Sequence, residues 1–339
     1  MENIEIIDTL GKGLYGITYK VKRNNKLYAL KRQKILKKYI NKGTKYPLFR
    51  EIKFYSWINK LSNSDQLFFV NLYDYKFYSN CNFKHKKEHK SKLIQKLIKS
   101  NHCLDLLIDL KDGVLKDILF KLNEKQIVSM ALQNIYAIYM MNKNGFIHCD
   151  LHKNNICYSK IDKKKNIILH MPKQKYTIPS YGYQYSIIDY GYVLHKNFVL
   201  SGKEKENYNL YKKYNRDLSF FFIHTLTNTK YAFKIRKDNL KIYKLMKELP
   251  ISLYIRIKSI IISLYPELVK SYNKWEKDSI MDVILYNQII DFIAIYDKEI
   301  LSNFFQKKYT PNLLESKHLE FIKFNFNNLE LIIDYLYNL

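Results

Sequence analysis

The chain has 339 residues, 47% hydrophobic and 26% charged, a balance that excludes wholesale disorder and a small stapled scaffold and leaves room for two lobes. Lysine and arginine outnumber aspartate and glutamate by 58 − 31 = 27, yet only Arg23, Arg32, Arg50, Arg216, Arg236 and Arg256 are arginine. The excess is lysine spread evenly through a chain rich in Asn, Ile and Tyr, as an A+T-biased gene would give. Nucleic acid is therefore not the favoured partner, because its recognition recruits arginine forks and clustered patches.

Four cysteines, Cys81, Cys103, Cys149 and Cys157, stand at no regular spacing, and no charged-then-apolar leader opens the chain. That pattern predicts neither a disulfide framework nor secretion, but a reducing, cytoplasmic setting. The longest apolar runs, such as Ile251 to Tyr265, are broken by charges at Arg256 and Lys258, so no membrane span is expected.

In chain order, Ile4 to Leu10, Ile17 to Lys22 and Lys26 to Lys31 read as three antiparallel strands, the last two joined at Asn24-Asn25. From Tyr46, Leu48, Ile52, Tyr55 and Ile58 recur at helical spacing behind Pro47, which predicts one amphipathic helix with proline in its first turn. Phe68 to Phe77 and Leu104 to Ile108 read as further strands, flanking a Lys/His-rich insertion at about 80–101. Asp109 to Gly113 has turn chemistry and divides the chain into residues 1–110 and 111–339. A long helix is expected from Glu124 to Met141, ending near Gly145. Short strands follow around Ile156, Ile167 and Ile187, and helix-period segments run from Asp217 to the C-terminus. The fold class is α+β.

Gly11, Gly13 and Gly16 lie between the first two strands. Glycine there permits close backbone approach and lets main-chain N–H groups face phosphate oxygens, although an ordinary Gly-rich hairpin has the same sequence. A dinucleotide-binding fingerprint needs a helix after its glycines, whereas here a strand follows. Lys31 closes the third strand, and Glu51 on the predicted helix is the carboxylate to hold its ammonium. Taken singly, each is an ordinary surface residue. The segment Ile147-His148-Cys149-Asp150-Leu151-His152-Lys153-Asn154-Asn155-Ile156 reads as a loop between rigid elements, with Asp150 and Asn155 five residues apart. Ile187-Ile188-Asp189-Tyr190-Gly191 then offers a carboxylate after an apolar strand, and hard oxygen ligands of this kind suit Mg²⁺.

These five motifs, in this order over roughly residues 4 to 225, resemble the protein kinase superfamily. The resemblance implies a bilobal protein kinase-like fold, with an antiparallel-sheet N-lobe carrying one helix and a mainly helical C-lobe. It further implies an ATP- and Mg²⁺-dependent transfer of the γ-phosphate to Ser/Thr hydroxyls of a protein substrate. On that resemblance Gly11, Gly13 and Gly16 cover the phosphates, and Lys31, paired with Glu51, contacts the α/β-phosphates. Asp150 orients or deprotonates the acceptor hydroxyl, and Asn155 with Asp189 holds Mg²⁺. Asp217 looks like the aspartate that braces the catalytic loop, and equally like a helix N-cap.

Departures from the pattern are specific. Cys149 stands where the family has arginine, so pairing with a phosphorylated loop is not expected. His152 replaces the usual catalytic-loop lysine, as in small-molecule phosphotransferases similar to aminoglycoside and choline kinases. Tyr190 replaces phenylalanine, no Ala-Pro-Glu follows Gly191 before Asp217, and the interval from Asn155 to Asp189 implies an inserted hairpin at about 160–185. The His-Cys-Asp-Leu-His loop and the composition look similar to divergent kinases of large DNA viruses of the poxvirus and giant-virus types, which would place the protein in host cytoplasm or a virion. The alternatives are a small-molecule kinase, or a nucleotide-binding pseudokinase or basic scaffold. Cys81, His85, His89, His102 and Cys103 have the ligand types of a zinc site but match no zinc spacing, and the insertion reads as exposed polar chain.

Overall fold

The computed structural model describes residues 3–13, 16–81, 95–97, 99–213, 216–221, 225, 329–330, 333 and 337. Most of the Lys/His-rich insertion, and nearly all of the helical segments expected after residue 221, lie outside them. The chain divides into two compact units, 1–115 with 154–205, and 116–153 with 206–339.

The first unit is built on a five-stranded antiparallel sheet in the order β1-β2-β3-β5-β4, formed by β1 (Glu5–Lys12), β2 (Gly16–Arg23), β3 (Lys26–Ile35), β4 (Leu72–Tyr78) and β5 (His102–Asp109). Asn24 and Asn25 link β2 to β3 with φ of 49° and 62°. Both are left-handed, the conformation a tight two-residue hairpin needs and asparagine tolerates. Gly16 is fixed by packing: a Cβ there would sit 2.1 Å from the Arg32 carbonyl oxygen on the neighbouring strand.

Helix α1 (Pro47–Ile58) has proline in its first turn, as its sequence predicts. Its buried positions include Leu48, Glu51, Ile52, Tyr55 and Ile58, so the carboxylate at 51 falls on the apolar stripe. A second, one-turn helix, α2 (Asn63–Gln66), follows it, capped by the Ser62 side chain. The single helix expected in this region is thus joined by a short one.

Cys81 and Cys103 form a disulfide, with Cα atoms 5.8 Å apart. This corrects the expectation that the cysteines are unpaired. The register of β4 on β5 sets Tyr78 opposite Cys103, which brings Cys81, three residues on, to the same sheet edge. The zinc reading loses these two thiols, and among the described residues no group of three or more His, Cys, Asp or Glu forms a metal site. His85 and His89 lie outside the described residues.

After the connector, β6 (Gly113–Val114) pairs with β7 (Ile156–Lys160), and β7 with β10 (Tyr183–Ile187), giving a three-stranded antiparallel sheet. Between β7 and β10 the expected insertion takes the form of a hairpin, β8 (Asn166–His170) and β9 (Lys175–Pro179). Its alternate residues Ile167, Leu169, Tyr176 and Ile178 are buried. The hairpin rests near α2, where the His170 ring lies 3.4 Å from the Ser64 hydroxyl and 3.7 Å from an Asp65 carboxylate oxygen.

In the second unit, α3 (Glu124–Lys143) opens with a reciprocal cap. The Gln126 N–H donates to the Asn123 side chain and the Asn123 N–H to the Gln126 side chain, both at 3.0 Å. Ile127, Met130, Ile135, Tyr136, Ile138 and Met141 bury the helix, and Gly145, at φ 78°, ends it. Helix α4 (Gly202–Lys213) passes from the first unit into the second, where the Tyr208 hydroxyl donates to the Gly145 carbonyl at 3.0 Å. The short helix α5 (Arg216–Phe221) packs on α3, and its Leu218 and Phe221 are buried. No described helix is long and apolar enough to cross a membrane.

Candidate functional site

Period-two alternation on β3 puts Lys31 and Gln33 on one face of the sheet and Arg32 on the other. Lys31 donates from Nζ to Glu51 Oε1 at 2.8 Å and to Asp189 Oδ1 at 2.7 Å. The Gln33 amide donates to the second Glu51 oxygen at 3.1 Å. Sequence reading missed Gln33, although its spacing of two from Lys31 carries the signal. On the opposite face Arg32 makes a bidentate pair with Asp105, at 2.9 Å from Nε and 2.7 Å from Nη2.

The two carboxylates on Lys31 differ in kind. Glu51 is fully buried and serves Lys31 and Gln33, whereas the Asp189 side chain is 43% exposed. Burial alone would lower the Lys31 pKa, but the charges of Asp189 and Glu51 outweigh it and hold the ammonium above the ordinary lysine range. One ammonium thus meets two carboxylates, one internal and one that reaches solvent.

Asp189 adopts a left-handed backbone, φ 64° and ψ 70°, at the start of a one-turn helix over Tyr190–Tyr192. Aspartate tolerates that region better than most residues, and such conformations concentrate where the chain must aim one side chain. The turn is anchored by Tyr190. Its hydroxyl donates to the Ile187 carbonyl at 2.5 Å and accepts from the Val70 N–H at 3.2 Å, while its ring lies 4.4 Å from Phe54 and 5.0 Å from Tyr55 on α1. Tyrosine for phenylalanine, a mild departure in sequence, is here a hydrogen-bonding link between the two segments.

Asn155 reaches the same neighbourhood through strand register. Ile156 faces Ile187, so the pairing continues outward with the Ile188 N–H donating to the Asn155 carbonyl at 3.0 Å. The inserted hairpin is looped out behind this pair and leaves the Asn155 and Asp189 ends adjoining. The Gly11–Gly16 hairpin is exposed at Gly11 and Gly13; an added Cβ would meet nothing within 4 Å at Gly11 and only the Gly16 carbonyl, at 3.8 Å, at Gly13. The Gly13 N–H is taken by the Gly16 carbonyl at 2.9 Å, so it closes the turn and does not point outward.

The second unit holds Asp150, His152 and Asp217. Asp217, in the first turn of α5, accepts the backbone N–H of His148 at 2.7 Å and of Cys149 at 2.9 Å. Of the two readings of this residue, the loop brace is the one its contacts match. Burial raises its pKa, opposed in part by His148 and by the two N–H donors. Cys149 is left-handed, φ 69°, and the Asp150 N–H donates to the His148 ring at 3.3 Å, so the loop is held on both sides of Cys149. The His152 ring stands 3.7 Å from an Asp150 carboxylate oxygen, and both side chains are partly exposed.

For a magnesium ion, the first-unit residues offer hard oxygen only, from a half-exposed carboxylate at Asp189 and an amide at Asn155. Mg²⁺ takes one or two protein oxygens completed by water and phosphate, and the half-exposed Asp189 carboxylate is a hard oxygen donor of that kind.

Comparison with protein-family profiles finds no match. Comparison with curated proteins finds none either. Among solved structures the chain is similar to a crystal structure described as a kinase domain, with a TM-score of 0.39 and 16% identity over 58% of this chain. The match spans 53% of that kinase-domain chain, about half its length. At this level the likeness carries no weight of its own, and the case for function lies in the residues.

Proposed function

We propose that the protein is an ATP-dependent phosphotransferase acting on Ser/Thr hydroxyls of protein substrates. The observation that carries this reading is the three-residue ion cluster of Lys31, Glu51 and Asp189, whose second pair joins residues 158 apart in sequence. A largely buried ammonium held by an internal carboxylate and a solvent-reaching one is suited to lie against polyphosphate. The structural alternative, a plain ion pair, needs no second carboxylate and no left-handed aspartate.

In this proposal Lys31 meets the α/β-phosphates, Glu51 keeps it in place, and Gly11 and Gly13 let the β1–β2 hairpin, packed at Gly16 against β3, approach the triphosphate. Asp189 and Asn155 are the residues that would hold Mg²⁺, which when bound supplies charge neutralisation on the phosphate oxygens. Asp150 accepts the proton of the acceptor hydroxyl as the new O–P bond forms and the bond from the γ-phosphorus to the β,γ-bridging oxygen breaks. The chain needs no nucleophile of its own, because positioning and electrostatics supply most of the acceleration in this chemistry. Similarity to large DNA-virus kinases rests on the His-Cys-Asp-Leu-His loop and composition alone.

A small-molecule acceptor is the second reading, favoured by His152 beside Asp150. Purified protein incubated with labelled ATP, generic protein acceptors and a panel of hydroxyl and aminoglycoside metabolites separates the two. Label in protein, abolished by Asp150→Ala, is the expected result. Label in a metabolite alone establishes the second reading, and nucleotide binding without transfer to anything overturns both.

A further inference from the structure

Period-two alternation puts Lys34, like Arg32, on the face of β3 away from Lys31. In the register of the sheet Lys34 stands opposite Cys103 on β5, and Tyr78 of β4 stands opposite Cys103 on the other side. Asn80, left-handed at φ 64°, turns the chain at the end of β4, and Cys81 then reaches Cys103 and bonds it. The two cysteines are not equally enclosed: Cys103 is 0% exposed and Cys81 4%.

Groups other than sulfur hold this place together. The Cys81 N–H donates to the Asn101 carbonyl at 2.8 Å, and the buried Lys34 ammonium donates to the Ser100 carbonyl at 2.6 Å and to the Cys81 carbonyl at 3.4 Å. The Ser100 hydroxyl donates to the Ile35 carbonyl at 2.6 Å and accepts the His102 N–H at 3.2 Å. With the sulfur–sulfur bond open, these contacts keep the two cysteines neighbours, so reclosure is an intramolecular step between groups already in place. Polar hydrogens also accompany the sulfurs. The Tyr78 hydroxyl lies 3.2 Å from Asp105 Oδ1 and 3.9 Å from Cys81 Sγ, one proton with two acceptors, and burial and the Asp105 charge keep that proton on. An ammonium beside a cysteine favours its thiolate, the form in which sulfur attacks and leaves.

We propose that Cys81 and Cys103 are a reversible thiol–disulfide pair, opened by a dithiol and assisted by the Lys34 ammonium, which stabilises the departing thiolate. A thiolate of the dithiol attacks Cys81 Sγ, the sulfur of the less enclosed residue; the bond between the two cysteine sulfurs breaks, and Cys103 leaves as a thiolate on the face it shares with Lys34. The second thiol of the reductant then attacks its own sulfur in the mixed disulfide and releases Cys81 as a thiolate near the Tyr78 hydroxyl. Two electrons pass from the dithiol to the protein, the dithiol closes to a cyclic disulfide, and the two protons it gives up balance the two cysteine thiols. The chain from Cys81 to Cys103 is a covalent ring in one state and open in the other, with the hydrogen bonds at its base present in both. The pair is independent of the phosphotransferase reading.

The test is the rate at which dithiothreitol opens the bond in the folded full chain, quenched with N-ethylmaleimide and mapped by peptide mass spectrometry, with far-UV circular dichroism on the same samples. Cys149 and Cys157, which form no disulfide, calibrate the alkylation. In wild type Cys81 and Cys103 are expected to open together with the circular dichroism unchanged, and to reclose when the reductant is exchanged for oxidised glutathione. Lys34→Gln keeps a donor for the carbonyls and removes the charge, and is expected to slow opening several-fold, because a leaving thiol of higher pKa leaves more slowly. Loosening the base would expose the sulfurs and speed opening, so the two effects have opposite signs. If Lys34→Gln does not fold, Lys34→Met takes its place with the same expected sign. A folded variant that opens at the wild-type rate or faster overturns the proposal. So does a wild-type bond that opens only in denaturant, that unfolds the protein on opening, or that does not re-form, each of which leaves a structural staple.

Discussion

Replacing Lys31 with methionine keeps most of its volume and removes the cation that faces the fully buried Glu51 carboxylate. At 2.8 Å and an effective dielectric of about 20, the direct Lys31–Glu51 attraction is on the order of 6 kcal/mol, much of it offset by the cost of desolvating both groups. What remains when one partner of a buried pair is deleted is typically about 3–5 kcal/mol, because an uncompensated charge is left inside. The Asp189 arm adds less, since that carboxylate reaches water and is screened there. For a unit of this size such a loss lowers the melting temperature by about 6–20 °C. Glu51→Gln added to Lys31→Met is expected to recover half or more of it, since a neutral pair carries no buried charge. Wild type and the three variants form a double-mutant cycle, read by thermal unfolding under circular dichroism. The pH dependence has a definite sign. In the wild type the raised Lys31 pKa means that the pair's contribution is complete below the ordinary lysine value, about 10.4, and is lost only as pH rises beyond it. A Lys31→Met protein as stable as wild type, or a coupling energy below about 0.5 kcal/mol, refutes this reasoning.

Tyr190→Phe leaves the Val70 N–H and the Ile187 carbonyl without the hydroxyl that now joins them, and is expected to cost about 1–3 kcal/mol in denaturant unfolding. Gly16→Ala drives a methyl into the Arg32 carbonyl and is expected to destabilise by at least about 2 kcal/mol, whereas Gly11→Ala leaves the melting temperature within a degree or two and acts, if the phosphate reading holds, on the KM for ATP. Asp217→Ala strands two backbone donors and is expected to lose about 2–4 kcal/mol, measured by chemical denaturation. Because burial raises the Asp217 pKa, its contribution is fullest below the ordinary aspartate range and declines as pH rises through the folded value, a slope that Asp217→Asn removes.

Residues whose positions follow from local periodicity were legible in the sequence. Alternation on β3 put Lys31 on one face, the helical stripe of α1 carried Glu51 inward, and Asn24-Asn25 marked the hairpin between β2 and β3. The inserted hairpin between Asn155 and Asp189 was announced only by the resemblance, whose usual spacing that interval exceeds. What stayed hidden depends on partners distant in sequence that no spacing specifies. Arg50 pairs with Glu204, 154 residues away, and nothing in either neighbourhood names the other. The Cys81–Cys103 bond follows from the register of β4 on β5, which a cysteine count does not contain. Tyr190 was undervalued for a related reason: its ring fits the expected place, and its hydroxyl acquires meaning only when Val70 and Ile187 are beside it.

The functional proposal stands or falls on whether the Lys31, Glu51 and Asp189 cluster serves a triphosphate. The most direct measurement is transfer of the labelled γ-phosphate from Mg-ATP by wild type and by Asp189→Asn, each confirmed folded. The proposal predicts transfer by wild type and a loss on the order of 10²–10³-fold in the variant, the scale of removing one charge-stabilising group. Equal transfer by the two proteins, or none by a folded wild type with any acceptor offered, contradicts it.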